Sequence, residues 1–204
     1  AGALNLTLNN AYSGTLNVDP GATVLLPSGS HLFNSGLNLT GTGNLTLNGG
    51  TLTLGGAFTF GAATPLFSMS AGTLTSASAL TENQAFAWSG GSITGAGLLT
   101  TNGATTITNS PQLDGKTWNN ANTLTLGAGA SNRLTLANSA IVNNQSGATV
   151  LIDSSYVNAF ENAGGSTAHQ LNNSGLIRKT NAGTQTLLNA GAYTQLAGAT
   201  LDVD

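Results

Sequence analysis

Three stretches set against one another decide the fold: Asn48-Gly49-Gly50-Thr51-Leu52-Thr53, Ser70-Ala71-Gly72-Thr73-Leu74-Thr75 and Ser89-Gly90-Gly91-Ser92-Ile93-Thr94. Each joins a Gly-bearing turn to a short alternation of apolar and hydroxylated residues, and each follows the one before at nearly the same interval. Alternation at period two places one face in a core and the other in water, the pattern of a half-buried strand. The same period runs through Leu4-Asn5-Leu6-Thr7-Leu8, Leu37-Asn38-Leu39, Leu45-Thr46-Leu47, Phe58-Thr59-Phe60, Leu124-Thr125-Leu126 and Leu134-Thr135-Leu136. No window of helical length carries apolar residues at i, i+3, i+4 and i+7. Turn chemistry separates the alternations, as at Asn102-Gly103, Asp114-Gly115 and Gly164-Gly165, because Gly and Asn accept positive φ at little cost.

Many short strands with regular turns fit either an antiparallel sandwich or barrel, or a parallel β-solenoid. Repetition separates the two. Gly-Ala-Thr recurs at Gly21, Gly147 and Gly198, each time opening an apolar alternation, and Asn143-Asn144-Gln145-Ser146-Gly147 is echoed by Asn172-Asn173-Ser174-Gly175. A persistent repeat of about 20 residues is what one solenoid coil requires. The expected fold is therefore all-β, a parallel β-helix of about nine coils of roughly 20–25 residues, about 40 Å long at the spacing of paired strands. Residues 1–204 are expected to form one solenoid segment, more regular over 1–110, looser over 111–165 and regular again over 166–204. The segment reads as part of a longer chain, with further coils or another subunit stacked on it.

Composition agrees with stacking. Of 204 residues, seven are acidic and four basic, 5% in total with a net charge of −3, against about 25% charged in an average soluble domain. In a solenoid each side chain lies about 5 Å from its counterpart in the next coil, and like charges placed directly opposite destabilise. So few charges leave no basic footprint for nucleic acid. No run approaches the ~18 apolar residues of a membrane helix. Cys is absent, which removes disulfides, thiol catalysis and thiolate metal sites together. Disorder is not expected either, because 40% of the residues are apolar and must be buried. The opening Ala1-Gly2-Ala3-Leu4 carries neither a basic n-region nor an apolar h-region, so an export signal is expected to have been removed or to lie outside this segment.

The stretch Trp88-Ser89-Gly90-Gly91-Ser92-Ile93-Thr94-Gly95-Ala96-Gly97, continuing through Leu99-Thr100-Thr101-Asn102-Gly103, resembles repeat units of filamentous-haemagglutinin-like and autotransporter-like bacterial surface proteins. So do Leu113-Asp114-Gly115-Lys116-Thr117-Trp118-Asn119-Asn120, Asn143 to Thr149, and Ile177-Arg178-Lys179-Thr180. The resemblance covers roughly Phe86 to Val203, and the N-terminal part only in style. It implies a right-handed parallel β-helix, export to the bacterial cell surface or extracellular medium, and adhesion or matrix scaffolding. It brings no catalytic residues with it, and no stretch here resembles the secretion domain of that family.

The residues offer little chemistry to set against a scaffold. No catalytic, cofactor-binding or metal site is expected. The carboxylates are Asp19, Glu82, Asp114, Asp153, Glu161, Asp202 and Asp204, and only Asp202 and Asp204 share a strand face. Their spacing of about 7 Å is formally within the range for a glycosidase pair, but solvated outer residues are the better reading. His31 and His169 have no local ligand partners. Arg178 and Lys179 are expected to pair with Glu161 or Asp153 across coils. Phe58 and Phe60, and likewise Phe86 and Trp88, share faces; they read as core ladders, with a sugar-stacking stripe as the alternative. Thr51, Thr53, Thr73 and Thr75 form a Thr-x-Thr rank of the kind an ice-binding solenoid would use.

The leading expectation is an extracellular structural or adhesive module that is not an enzyme. It would project a binding region or form filament or matrix material. Its partners would be further copies, end to end or laterally, and glycans or cell-surface receptors. An ice-binding solenoid and a polysaccharide-active β-helix enzyme are the alternatives.

Overall fold

The computed structural model describes residues 2–204. Among them the chain forms 26 short strands and no helix, and every strand pairing is parallel, as in Thr105–Ile107 against Leu124–Leu126. The strands wind into a parallel β-solenoid with three faces. The first face begins at Ala3–Asn5 and recurs at Thr23–Leu26, continuing to Thr200–Val203. The second begins at Asn10–Tyr12. Long strands at Asn44–Leu54 and Leu66–Ser76 run across both faces, which therefore join as one 17-stranded sheet. The third face is a 7-stranded sheet from Phe58–Phe60 to Ala192–Gln195, with the pair Thr15–Asn17 and Asn38–Thr40 in the same place in the two preceding coils, making about nine coils.

Stacking aligns equivalent residues into columns. On the first face Val24, Leu45 and Phe67 lie in register, as do Thr105, Leu124, Val150, Ile177 and Leu201. A parallel column, Leu26, Leu47, Met69, Trp88, Ile107, Leu126 and Ile152, lies two residues on. His31, Leu52, Leu74, Ile93, Leu113 and Leu136 line the second face. Nearly all of these are buried, and burial of each large apolar side chain contributes about 1.5–3 kcal/mol. The steps from Phe86 to Thr105 and from Thr105 to Leu124 are equal, whereas those onward to Val150 and to Ile177 are longer. The extra residues enter at 127–133 and 154–158, between first-face and second-face strands, and at 163–169, between second-face and third-face strands.

The third face carries a second kind of column. Asn120, Asn144 and Asn173 point inward, in register, and are fully buried. Asn120 Nδ2 donates to Asn144 Oδ1 (2.9 Å), Asn144 Nδ2 to Asn173 Oδ1 (2.8 Å), and Asn173 Nδ2 to Gln195 Oε1 (3.0 Å). Each amide also donates to a carbonyl that opens a first-face strand of the next coil: Asn120 to Thr149 O, Asn144 to Leu176 O, Asn173 to Thr200 O. Each side chain thus ties a corner to its neighbour, and Asn144 and Asn173 have both their amide nitrogen and oxygen partnered, as burial of an amide requires.

One residue earlier, Asn119, Asn143 and Asn172 form the outward counterpart. Asn143 Nδ2 donates to Asn119 Oδ1 (2.8 Å) and Asn172 Nδ2 to Asn143 Oδ1 (2.9 Å). Water can replace these bonds when a partner is removed, so Asn143→Ala should cost about 1 kcal/mol or less. Urea denaturation of the variant beside wild type checks this value.

Candidate functional site

The outward surface of the third face carries an unbroken rank of uncharged polar side chains. Thr59, Thr81, Thr100, Asn119, Asn143, Asn172 and Thr194 occupy one position on seven consecutive strands, in register. Asn17 and Thr40 take that place in the two preceding coils, joined by a hydrogen bond from Thr40 Oγ1 to Asn17 Oδ1 (3.0 Å). No member is charged. Every one carries both a donor and an acceptor.

The second face holds the Thr-x-Thr rank. Thr51, Thr73 and Ser92 stack at one outward position, and Thr53, Thr75 and Thr94 at the other. Ser30 and Leu32 precede the rank, while Gln112 and Asp114 follow it, so it extends over three coils. On the first face the Thr46 and Ser68 hydroxyls lie 3.0 Å apart.

The aromatic residues are gathered inside the section. Phe60, Phe86 and Trp88 are buried, and Phe58 is half-buried against the core. Phe60 stacks on Phe67 at 4.6 Å and Phe67 on Phe86 at 5.8 Å, with Trp88 meeting Trp118 edge-on at 6.1 Å. Their rings fill the core and do not face solvent as a stripe.

The charged residues are distributed differently from the expectation. Arg178 lies in register beside Asp202, with Nε 3.4 Å from Asp202 Oδ2 and Nη2 2.8 Å from Asp204 Oδ2. Asp202 and Asp204 therefore share one exposed guanidinium. Glu161 does not reach Arg178, because it stands on the second face, where it pairs with Arg133. Tyr156 OH (3.1 Å) and Asn158 Nδ2 (3.2 Å) donate to the other Glu161 oxygen, and the Arg133 guanidinium lies 4.0 Å from the Tyr156 ring centre. This group braces the corner where the coils lengthen. Asp153 accepts from the Thr180 hydroxyl at 3.3 Å instead of from a cation. Lys179 donates to Asn181 O.

Both histidines lie in the wall of the coil. His31 lies between Tyr12 OH (3.1 Å from Nδ1) and Ser28 O (2.9 Å from Nε2). His169 Nε2 lies 3.1 Å from Asn162 Oδ1, and burial pushes its pKa down. Among the described residues no three of His, Cys, Asp and Glu gather at one point, and no helix is long and apolar enough to cross a membrane.

Two buried ionisable groups escaped the sequence reading. Lys116 is 1% exposed, and its Nζ donates to Ser76 O (3.0 Å), Gly95 O (3.3 Å) and Thr94 O (3.4 Å) at the corner between the second and third faces. One ammonium thereby bridges three successive coils, and burial pushes its pKa down to about 8. Glu82, also 1% exposed, ends the strand Leu80–Glu82 pointing inward, and burial pushes its pKa up to about 9. No motif marked either residue. The inner amide column did leave a signal in the doubled asparagines Asn119-Asn120, Asn143-Asn144 and Asn172-Asn173. Comparison with protein-family models, with curated proteins and with solved structures returns no match for this chain.

Proposed function

We propose that this solenoid is a structural and adhesive scaffold module of a large bacterial surface or secreted protein, acting outside the cell. The observation that carries the reading is the uncharged outward rank from Thr59 to Thr194, seven residues in register on consecutive strands. At the spacing of paired strands it extends about 29 Å. Such a strip offers donors and acceptors at regular intervals without charge. It suits contact with hydroxyl-rich neutral glycans, or with the same strip on another copy, and leaves little electrostatic selectivity.

The test uses the purified chain. Sedimentation should reveal concentration-dependent association, and immobilised neutral polysaccharides or bacterial cells should retain the protein. Both should survive high salt, because few charges take part. Placing cations on the strip with Thr100→Lys and Asn143→Lys should weaken retention at least about ten-fold, or about 1.4 kcal/mol. A wild-type protein that stays monomeric at high concentration and binds neither glycans nor cells overturns the reading.

A further inference from the structure

The inner amide column has a beginning, and it is not an amide. In the coils preceding Asn120 the same inward position is held by Thr101, then by Glu82, then by Phe60. All three amides donate in one direction, from Asn120 towards Gln195. The column therefore needs a donor at its head, and Asn120 Oδ1 is buried with no protein partner. Also unpartnered at this end are both Glu82 oxygens and Thr105 Oγ1, which sits across the corner from Thr101 in the same coil. Thr101 Oγ1 accepts the Trp118 indole N–H at 3.0 Å, so its hydroxyl hydrogen remains to be donated.

Counting donors selects the protonation state. An ionised Glu82 adds only acceptors. The Thr101 and Thr105 hydroxyls would then turn to the carboxylate, leaving Asn120 Oδ1 unsatisfied beside a buried charge. A protonated Glu82 adds an O–H, and the four groups, which make no direct hydrogen bond to one another in the structure, can be satisfied in one sense along the column by rotation of the hydroxyls and carboxyl or through one water molecule.

No titratable side chain faces Glu82 from the flanking strands Phe58–Phe60 and Leu99–Thr101, nor from Phe86–Trp88 and Thr105–Ile107 around the corner. The buried cation Lys116 lies at the opposite end of the third face, held by three carbonyls. Arg133 is paired with Glu161, Arg178 with Asp202 and Asp204, and Lys179 donates to Asn181 O.

We propose that Glu82 is the protonated head of the inner polar column, a neutral carboxylic acid standing where later coils use carboxamides. Its O–H orients Thr101 and through it Asn120. Loss of that proton reverses the Thr101 hydroxyl and uncouples the column at this coil. The solenoid thus contains an alkaline-sensitive joint between its aromatic-cored N-terminal coils and its amide-cored C-terminal coils. Burial supports the assignment, since it pushes the Glu82 pKa from 4.5 up to about 9. Between those values the unfolded chain is ionised and the folded one is not. Stability is then greatest below the ordinary glutamate range and falls as pH rises towards about 9, by about ten-fold in the folding equilibrium per pH unit.

The chain contains two glutamates, Glu82 and Glu161, so carboxyl labelling of glutamate with carbon-13 yields two resonances. The one lost in Glu82→Gln should hold the position of a protonated acid at pH 7 and titrate near pH 9. The Trp118 indole N–H resonance should move with the same midpoint in wild type, stay still in Glu82→Gln, and lose the coupling in Thr101→Val while Glu82 still titrates. Thr101→Ser, which keeps the hydroxyl, should retain it and serves if the valine variant does not fold. An ionised Glu82 at pH 7 overturns the proposal. So does a Trp118 resonance that ignores the titration, or that follows it equally in Thr101→Val, because either would make Glu82 a passive buried acid.

Discussion

Asn144→Leu should destabilise the protein by about 3–5 kcal/mol, several times the effect at the neighbouring Asn143. Leucine keeps the branched outline of asparagine but none of its polar atoms and is somewhat larger, so the loss of hydrogen bonding is joined by a smaller overpacking cost. Asn144 accepts from Asn120 and donates to Asn173 Oδ1 and Leu176 O, all at 2.8–2.9 Å and away from water. Removing it takes a partner from Asn120 in the preceding coil and from Asn173 and Leu176 O in the following one, at about 1–3 kcal/mol for each group left unsatisfied. The position adds a second signature. Each coil of a solenoid contacts only its neighbours, so stability is close to a sum of nearest-neighbour terms. A lesion at Asn144 should therefore divide unfolding into two steps. Hydrogen exchange should accelerate in the strands from Ile141–Asn144 onward before those around Phe86–Trp88 respond. Uniform acceleration along the rod would refute nearest-neighbour behaviour.

Gly103→Ala should be at least as damaging, above about 3 kcal/mol, by a different route. Gly103 sits at a corner where a Cβ would fall 1.7 Å from Gln84 O and 2.3 Å from Gln84 C, both backbone atoms of the preceding coil. A single methyl group would have to force two coils apart, breaking the corner bonds from Asn102 N and Gly103 N to Glu82 O (2.7 and 3.2 Å). Gly147 provides the control. Its φ is +80° and nothing lies within 4 Å of the added Cβ, so Gly147→Ala carries only the conformational penalty of about 1 kcal/mol. Thermal melts of the two variants separate a glycine required for space from one required for its torsion. Equal melting points would contradict the corner geometry.

These contrasts mark what could be read in advance. The alternation at Leu45-Thr46-Leu47 and the regular recurrence of Gly-bearing turns were sufficient for strands, for stacking and for the parallel solenoid, because period and repeat length survive without any knowledge of partners. The doubled asparagines were equally visible. Their meaning was not, since Asn119 and Asn120 differ by a single residue and one faces water while the other lies in the core. Parity in a strand is assigned by register alone, and a one-residue slip exchanges every inside for an outside. Phe58 and Phe60 posed the same question, and burial answered it.

The pairing of charges was decided still later. The sequence pointed Arg178 to Glu161 or Asp153, and neither is its partner. The length of one coil settled the choice, by bringing Asp202 into register beside it and leaving Glu161 on another face with Arg133. Glu82 and Lys116 were invisible for a related reason. An isolated acid or base in a short strand reads as surface, and only the closing of three faces around it removes the water.

By itself, then, the sequence determined the strand period, the approximate coil length and the scarcity of charge, all local or repetitive properties that identical faces stacked about 5 Å apart impose on composition. The tertiary structure alone decided which asparagines became a buried ladder, which carboxylate lost its water, and where one coil must lie against the next without a side chain between them. Those depend on register from one coil to the next and on the closure of the coil, and no local pattern encodes either.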